Sequence, residues 1–182
     1  NDNMKVKNNI LTLCHVGRIA EGKGQIDAIK ACEVLIECNI DFEFNIVGGF
    51  DDTYKDVFLE FFNNCRYKSK INLIGFTKDI KKYLEKSDIF LFPSYGEGLS
   101  NAFLEALSYD IRCISYDNTS FPELKDLGLV FEMVENKNIH KLKEILKRHA
   151  FNYPLKKIKN NLIIQDIFSL EQEMKKYLEI IK

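Results

Sequence analysis

The stretch Ile10-Leu11-Thr12-Leu13-Cys14-His15-Val16-Gly17-Arg18-Ile19-Ala20-Glu21-Gly22-Lys23-Gly24-Gln25 sets out the repeating unit of the chain. Ile10 to Val16 is an apolar run closed by Gly17, and it reads as a buried strand. Beyond the glycine-bounded turn, Ile26, Ile29, Cys32, Leu35 and Ile36 recur at helical spacing, which predicts a helix from Gln25 to Cys38. Further along, the alternation repeats. Strands are expected at Phe42 to Val47, Ile71 to Ile74, Ile89 to Phe92, Arg112 to Tyr116 and Leu129 to Phe131. Helices are expected at Tyr54 to Cys65, Asp79 to Glu85 and Asn101 to Tyr109. The remainder reads as helical, most clearly at Ile139 to His149 and Leu170 to Ile181.

Short apolar strands separated by helices imply an α/β fold, a Rossmann-like parallel sheet with helices on both faces. In such sheets the ligand lies beyond the carboxyl ends of the strands. That rule selects Gly17 to Gly24, Gly48 to Asp52, Gly75 to Asp79, Ser94 to Asn101 and Asp117 to Glu123 as site segments.

Composition narrows the class. The 182 residues suffice for one domain, and 46% are hydrophobic. A net charge of −1 argues against a nucleic-acid partner, which requires a basic face. No apolar run approaches the ~20 residues of a bilayer span. The five cysteines form no C-x-x-C pair and the three histidines are scattered, so neither a metal site nor a cofactor is expected. Reduced thiols point to the cytoplasm. The chain opens on Asn1 without a Met, and a piece cut from a longer protein is expected.

The richest segment is Pro93-Ser94-Tyr95-Gly96-Glu97-Gly98-Leu99-Ser100-Asn101-Ala102-Phe103-Leu104-Glu105. Gly96 and Gly98 allow close backbone approach to a ligand. Ser100 caps the next helix, whose first amides suit a phosphate. Glu105 follows Asn101 by four residues, so both share a helix face, and a carboxylate there suits a vicinal diol such as ribose. Glu97 reaches toward a sugar. The plainer alternative is a strand-helix turn with two solvent-facing glutamates. After the first strand, Arg18 and Lys23 supply a planar fork and a mobile point charge, together balancing a diphosphate. Their alternative is a solvated turn. The spacing Gly17, Gly22, Gly24 is not the G-x-G-x-x-G of a dinucleotide site, and Lys23-Gly24 is not a P-loop. His15 reads as a strand residue packed in the sheet. Gly48-Gly49 either leaves room for a ligand or is a simple turn.

Together these residues resemble the retaining glycosyltransferases of the GT-B fold, the group that includes bacterial lipopolysaccharide and capsule sugar transferases. The resemblance covers nearly the whole chain but only the C-terminal half of such an enzyme. Glu97 and Glu105 match the E-x7-E motif, and Gly17-Arg18 with Lys23-Gly24 match G-R…K-G. Ile71 to Ser94 matches the segment that holds the base, and Phe168 to Lys182 looks like the closing helix. The resemblance implies catalytic roles for Arg18, Lys23 and Glu97, the first two on the diphosphate and the third on donor-sugar hydroxyls. It implies binding by Gly17, by the amides around Gly98, Leu99, Ser100 and Asn101, by Glu105 at the ribose, and by Phe76 and Thr77 at the base. It implies a nucleotide-diphosphate sugar as ligand without a metal, a separate N-terminal acceptor-binding domain, and peripheral membrane contact through that domain. Two departures stand out: Ser100 where the family often has Gly, and Asp117 to Glu123 in place of a Gly-rich turn. The competing classes are a sugar-nucleotide-binding module without activity and a GT-B epimerase or phosphorylase half. A flavodoxin-like signalling domain lacks its phosphoacceptor cluster here. The Lys, Asn and Ile content suggests an AT-rich bacterial genome, and a surface polysaccharide is the expected product.

Overall fold

The computed structural model describes residues 10–95, 98, 100–117 and 120–167. Six strands among them run parallel: β1 (Leu11–Val16), β2 (Phe42–Val47), β3 (Ile71–Gly75), β4 (Ile89–Phe92), β5 (Arg112–Tyr116) and β6 (Glu132–Val134). Their order across the sheet is β3-β2-β1-β4-β5-β6. The connecting helices are α1 (Gln25–Glu37), α2 (Lys55–Asn63), α3 (Lys81–Leu84), α4 (Asn101–Ser108), α5 (Phe121–Asp126) and α6 (Ile139–Phe151). The sheet is the Rossmann-like one that the alternation predicts.

Strand side chains alternate between two cores. Leu11, Leu13, Phe42, Phe44, Ile46, Ile89, Leu91, Ile114 and Tyr116 point to the face covered by α1, α2 and α6. Cys14, Val16, Val47, Phe90, Phe92 and Cys113 point to the face covered by α4, α5 and Ile164. Both faces are buried, which is why β4 reads as a continuous apolar run and why even His15 of β1 and Asn45 of β2 are buried. Among the described residues no helix is long and apolar enough to cross a membrane.

Three expectations need correction. The sixth strand is Glu132–Val134, not Leu129 to Phe131. Leu129 instead donates its N–H to Leu124 O and closes α5, while both backbone groups of Val130 bond to the Asn160 side chain at 2.8 Å. Those groups are therefore committed away from the ladder, which begins at Glu132 opposite Ile114. No helix is expected between the fifth and sixth strands, but the chain enters α5 at Phe121, with Pro122 in its first turn where no N–H is needed. Residues 152–159 are not helical; α6 stops before Pro154, and helix resumes at 160–167. The expected helix from Leu170 to Ile181 lies outside the described residues.

Candidate functional site

β1 sits between β2 and β4, so the loops after β1 and β4 leave in opposite directions and open a crevice at the carboxyl edge. Backbones there pass too close for side chains. A Cβ on Gly24, at φ +76°, would stand 1.9 Å from the Pro93 carbonyl oxygen. A Cβ on Gly48 would stand 1.9 Å from that of Gly17. The close approach is held by hydrogen bonds. Tyr95 N–H and the Ser94 hydroxyl donate to Gly22 O at 2.9 and 3.1 Å, and Gly17 N–H donates to Val47 O at 2.9 Å.

His15 is fully buried, as expected of a strand residue. Its Nδ1 lies 2.9 Å from Leu91 O, a pure acceptor, so Nδ1 carries the proton and Nε2 accepts. Gln25 Nε2 donates to that nitrogen at 3.2 Å and to Arg18 O at 2.9 Å. The two side chains thus tie the Arg18 backbone to β4 and to the start of α1. Gln25 has no place in the motif-based site; its position as first residue of the helix after a buried histidine was the available signal.

Val16, Gly17, Arg18, Val47, Gly48, Gly49, Phe50, Phe76, Thr77 and Ile80 enclose a cleft of about 410 Å³ beyond β1, β2 and β3. Arg18 is 66% exposed, and its Nη1 is 3.1 Å from Asp51 Oδ2. The Thr53 hydroxyl and amide hold the Asp51 carboxyl below its ordinary pKa, and Arg18 adds to this. Phe76 is 79% exposed at the mouth of the cleft. Of the residues named from sequence, the structure brings Gly17, Arg18, Phe76 and Thr77 together here.

It places others apart. Asn101 and Glu105 do share a face of α4, but they line a separate depression of about 250 Å³ with Leu104, Ser108 and Ile164. Ser100 caps α4 as expected, its Oγ accepting from Phe103 N–H at 3.4 Å. Gly98 is exposed, and its carbonyl accepts from the Ser120 hydroxyl at 3.0 Å. Lys23 is half-buried in the loop between Gly22 and Gly24. Glu97 and Leu99 lie outside the described residues. Tyr95 stacks on Tyr116, whose hydroxyl donates to the buried Asp27 carboxylate at 3.0 Å. Among the described residues no group of three or more His, Cys, Asp or Glu is arranged to hold a metal. Burial pushes the Cys14 thiol up to about 12 and the Cys113 thiol well above its ordinary value, which leaves both unreactive.

A doubly wound sheet with a glycine-lined cleft and an exposed arginine at its carboxyl edge defines a Rossmann-like α/β domain. The model of the family described as glycosyl transferases group 1 matches residues 2–157, and the chain belongs to that family. It is 29% identical over 153 residues to the capsular polysaccharide biosynthesis glycosyltransferase CapH of Staphylococcus aureus, covering 81% of this chain and 42% of that protein. It is 32% identical over 111 residues to the UDP-Gal:alpha-D-GlcNAc-diphosphoundecaprenol alpha-1,3-galactosyltransferase of Escherichia coli, covering 60% of this chain and 28% of that protein. The chain therefore spans less than half the length of these relatives. Its fold matches that of Anabaena Alr3699/HepE in complex with UDP, with a TM-score of 0.77 at 18% identity, over 94% of this chain and 49% of that one.

Proposed function

We propose that residues 1–182 are the donor-binding half of a retaining, hexosyl-type glycosyltransferase, which holds a nucleotide-diphosphate sugar for transfer to a glycan or lipid-linked acceptor. The observation that carries this is the exposed Arg18 at the mouth of the cleft, with its backbone tied down by Gln25 and with Phe76 open beside it. The UDP held by the structurally similar HepE supports the ligand class. The polysaccharide and lipid-linked activities named for CapH and the E. coli galactosyltransferase support a role in surface polysaccharide synthesis.

In this reading Arg18 and Lys23 bind the diphosphate and stabilise the leaving group. Phe76 and Thr77 lie against the base. Glu105 binds ribose, Glu97 grips sugar hydroxyls, and the amides from Gly98 to Asn101 hold phosphate or sugar. No divalent ion is needed, because two cations and oriented amides offset the diphosphate charge. The acceptor-binding domain is a separate unit, and through it the enzyme works in the cytoplasm at the inner face of the membrane.

The experiment is calorimetric titration of this chain with UDP, GDP, dTDP and ADP sugars, in EDTA and again in excess Mg²⁺. The two conditions should agree. Alanine at Arg18 or Lys23 should weaken binding about tenfold to a hundredfold, since each charge-assisted hydrogen bond contributes roughly 1.5–3 kcal/mol. Binding of none of the four, or equal affinity in both variants, overturns the assignment.

A further inference from the structure

We infer that Asp51 is a positioning residue for Arg18: it holds the guanidinium over the cleft before a ligand arrives. The inference rests on the donor-binding reading above. Asp51 lies outside both motifs, and its carboxylate has two distinct partners. Oδ1 accepts from the Thr53 hydroxyl at 2.6 Å and from the Thr53 N–H at 3.1 Å. That leaves Oδ2 for Arg18 Nη1, at 3.1 Å. The backbone of Asp51 is equally constrained. Its N–H donates to Ile19 O at 2.9 Å, and its carbonyl accepts from Tyr54 and Lys55 N–H at 3.1 and 3.0 Å. Ile19 N–H in turn donates to Gly49 O at 2.8 Å, so the loop carrying Arg18 and the loop carrying Asp51 are laced together next to the ion pair.

Arg18 itself is mostly in water, and Asp51 is the ion-pair partner of its guanidinium among the described residues. A long, solvated arginine samples many rotamers, and a ligand that recruits it must order it. Here one corner of the planar fork is already fixed by a fixed carboxylate, and the other N–H donors remain for phosphate oxygens. The carboxylate's repulsion of an anionic ligand opposes this benefit. That repulsion acts through water and salt, which attenuate it at a site as exposed as Arg18. Screening weakens the ion pair as well, but the carboxylate stays fixed by Thr53 and by its own backbone bonds, so the orienting contact is retained.

The test is NMR titration with UDP, carried to millimolar concentration, of the unaltered chain, Asp51→Ala, Asp51→Asn, Arg18→Ala and the Arg18→Ala/Asp51→Ala pair. Asp51→Asn keeps an oxygen for Thr53 and removes the charge, so it carries the test if the alanine variant unfolds. Both Asp51 variants should bind roughly threefold to tenfold more weakly, the size of one side chain's ordering cost. The loss should vanish in the Arg18→Ala background, which a general loosening of the loop would not produce. Unchanged or tighter binding, or an equal loss without Arg18, overturns the inference while leaving the donor-binding reading standing. Where the unaltered chain does not bind UDP, the same proteins are titrated with GDP, dTDP and ADP, and binding of none of the four removes the donor-binding reading first.

Discussion

The two edges of the same sheet are built in opposite ways. At the amino edge, two aspartates join neighbouring segments through both their carboxylates and their backbone groups. Asp88 accepts from Thr12 N–H through Oδ2 at 2.9 Å, donates its own N–H to Thr12 O at 2.8 Å, and accepts from Arg112 N–H. Asp110 accepts from the N–H groups of Ile158 and Asn161, which ties down the segment leading into the last described helix. At the carboxyl edge the joints are glycines at contact distance from neighbouring carbonyls, and the charged group presented there, Arg18, is largely in water. The amino edge is cross-linked through aspartates around a depression of about 500 Å³ that Asp88, Asp110 and Arg112 help to line. The carboxyl edge is held open by leaving side chains out at Gly24 and Gly48. The cross-links and the proposed ligand cleft thus lie at opposite ends of the strands, which allows each to be altered without the other.

The largest expected effect comes from closing the open edge. Gly24→Ala combines a positive φ with a methyl 1.9 Å from the Pro93 carbonyl oxygen. Overpacking alone costs about 1–3 kcal/mol, and the left-handed backbone adds about 1 kcal/mol more. Urea denaturation should show a loss of about 3 kcal/mol, with nucleotide affinity lost as well because the loop must move. A variant with normal stability and affinity would undo the contrast. At the other edge, Asp88→Ala should cost about 1.5–3 kcal/mol by leaving the Thr12 amide without its charged partner. Nucleotide affinity, measured on the folded protein, should stay within about twofold, since the change lies at the far end of β1 and β4.

The smallest effect tests the amino edge's separate stability through pH. His149 ends α6 beside Glu132, the first residue of β6, and burial pushes its pKa down more than Glu132 raises it. The unfolded chain therefore takes up this proton at higher pH than the folded one. The contribution of neutral His149 is present above the ordinary histidine value of about 6.5 and is lost as pH falls through the depressed folded value. Melting temperature should decline shallowly on acidification across that range. His149→Gln should remove this part of the decline. A melting profile identical in the variant and the unaltered chain would exclude His149 as the cause.

Much of the fold was legible because buried parallel strands are nearly all apolar. Leu11–Val16 and Ile89–Phe92 announce themselves in any register. Ser100 was legible as a cap because capping is local, a side chain bonding to an amide three residues on. The sixth strand was misplaced because Leu129, Val130 and Phe131 are as apolar as a strand, and the deciding partner, Asn160, lies 30 residues away. Arg18, Gly17, Phe76 and Thr77 could be chosen from their positions after strands, since the end of a strand is visible in sequence. Asp51 fell inside the chosen segment Gly48 to Asp52 and Gln25 at the start of the first helix, but neither stood out individually, because their partners Arg18 and His15 come from other parts of the chain.

Apolar runs, helical period, caps and the rule that ligand segments come after strands all depend on neighbours along the chain, so the amino-acid sequence was enough to establish them. Which of those segments meet was settled by the tertiary structure. It put Arg18 and Phe76 into one cleft and Glu105 into another depression, and it set Asp51 against Arg18 across two loops. The physical reason is that the strand order β3-β2-β1-β4-β5-β6 is set by how two buried faces pack. That packing sums over contacts between residues far apart in sequence, which no local pattern encodes.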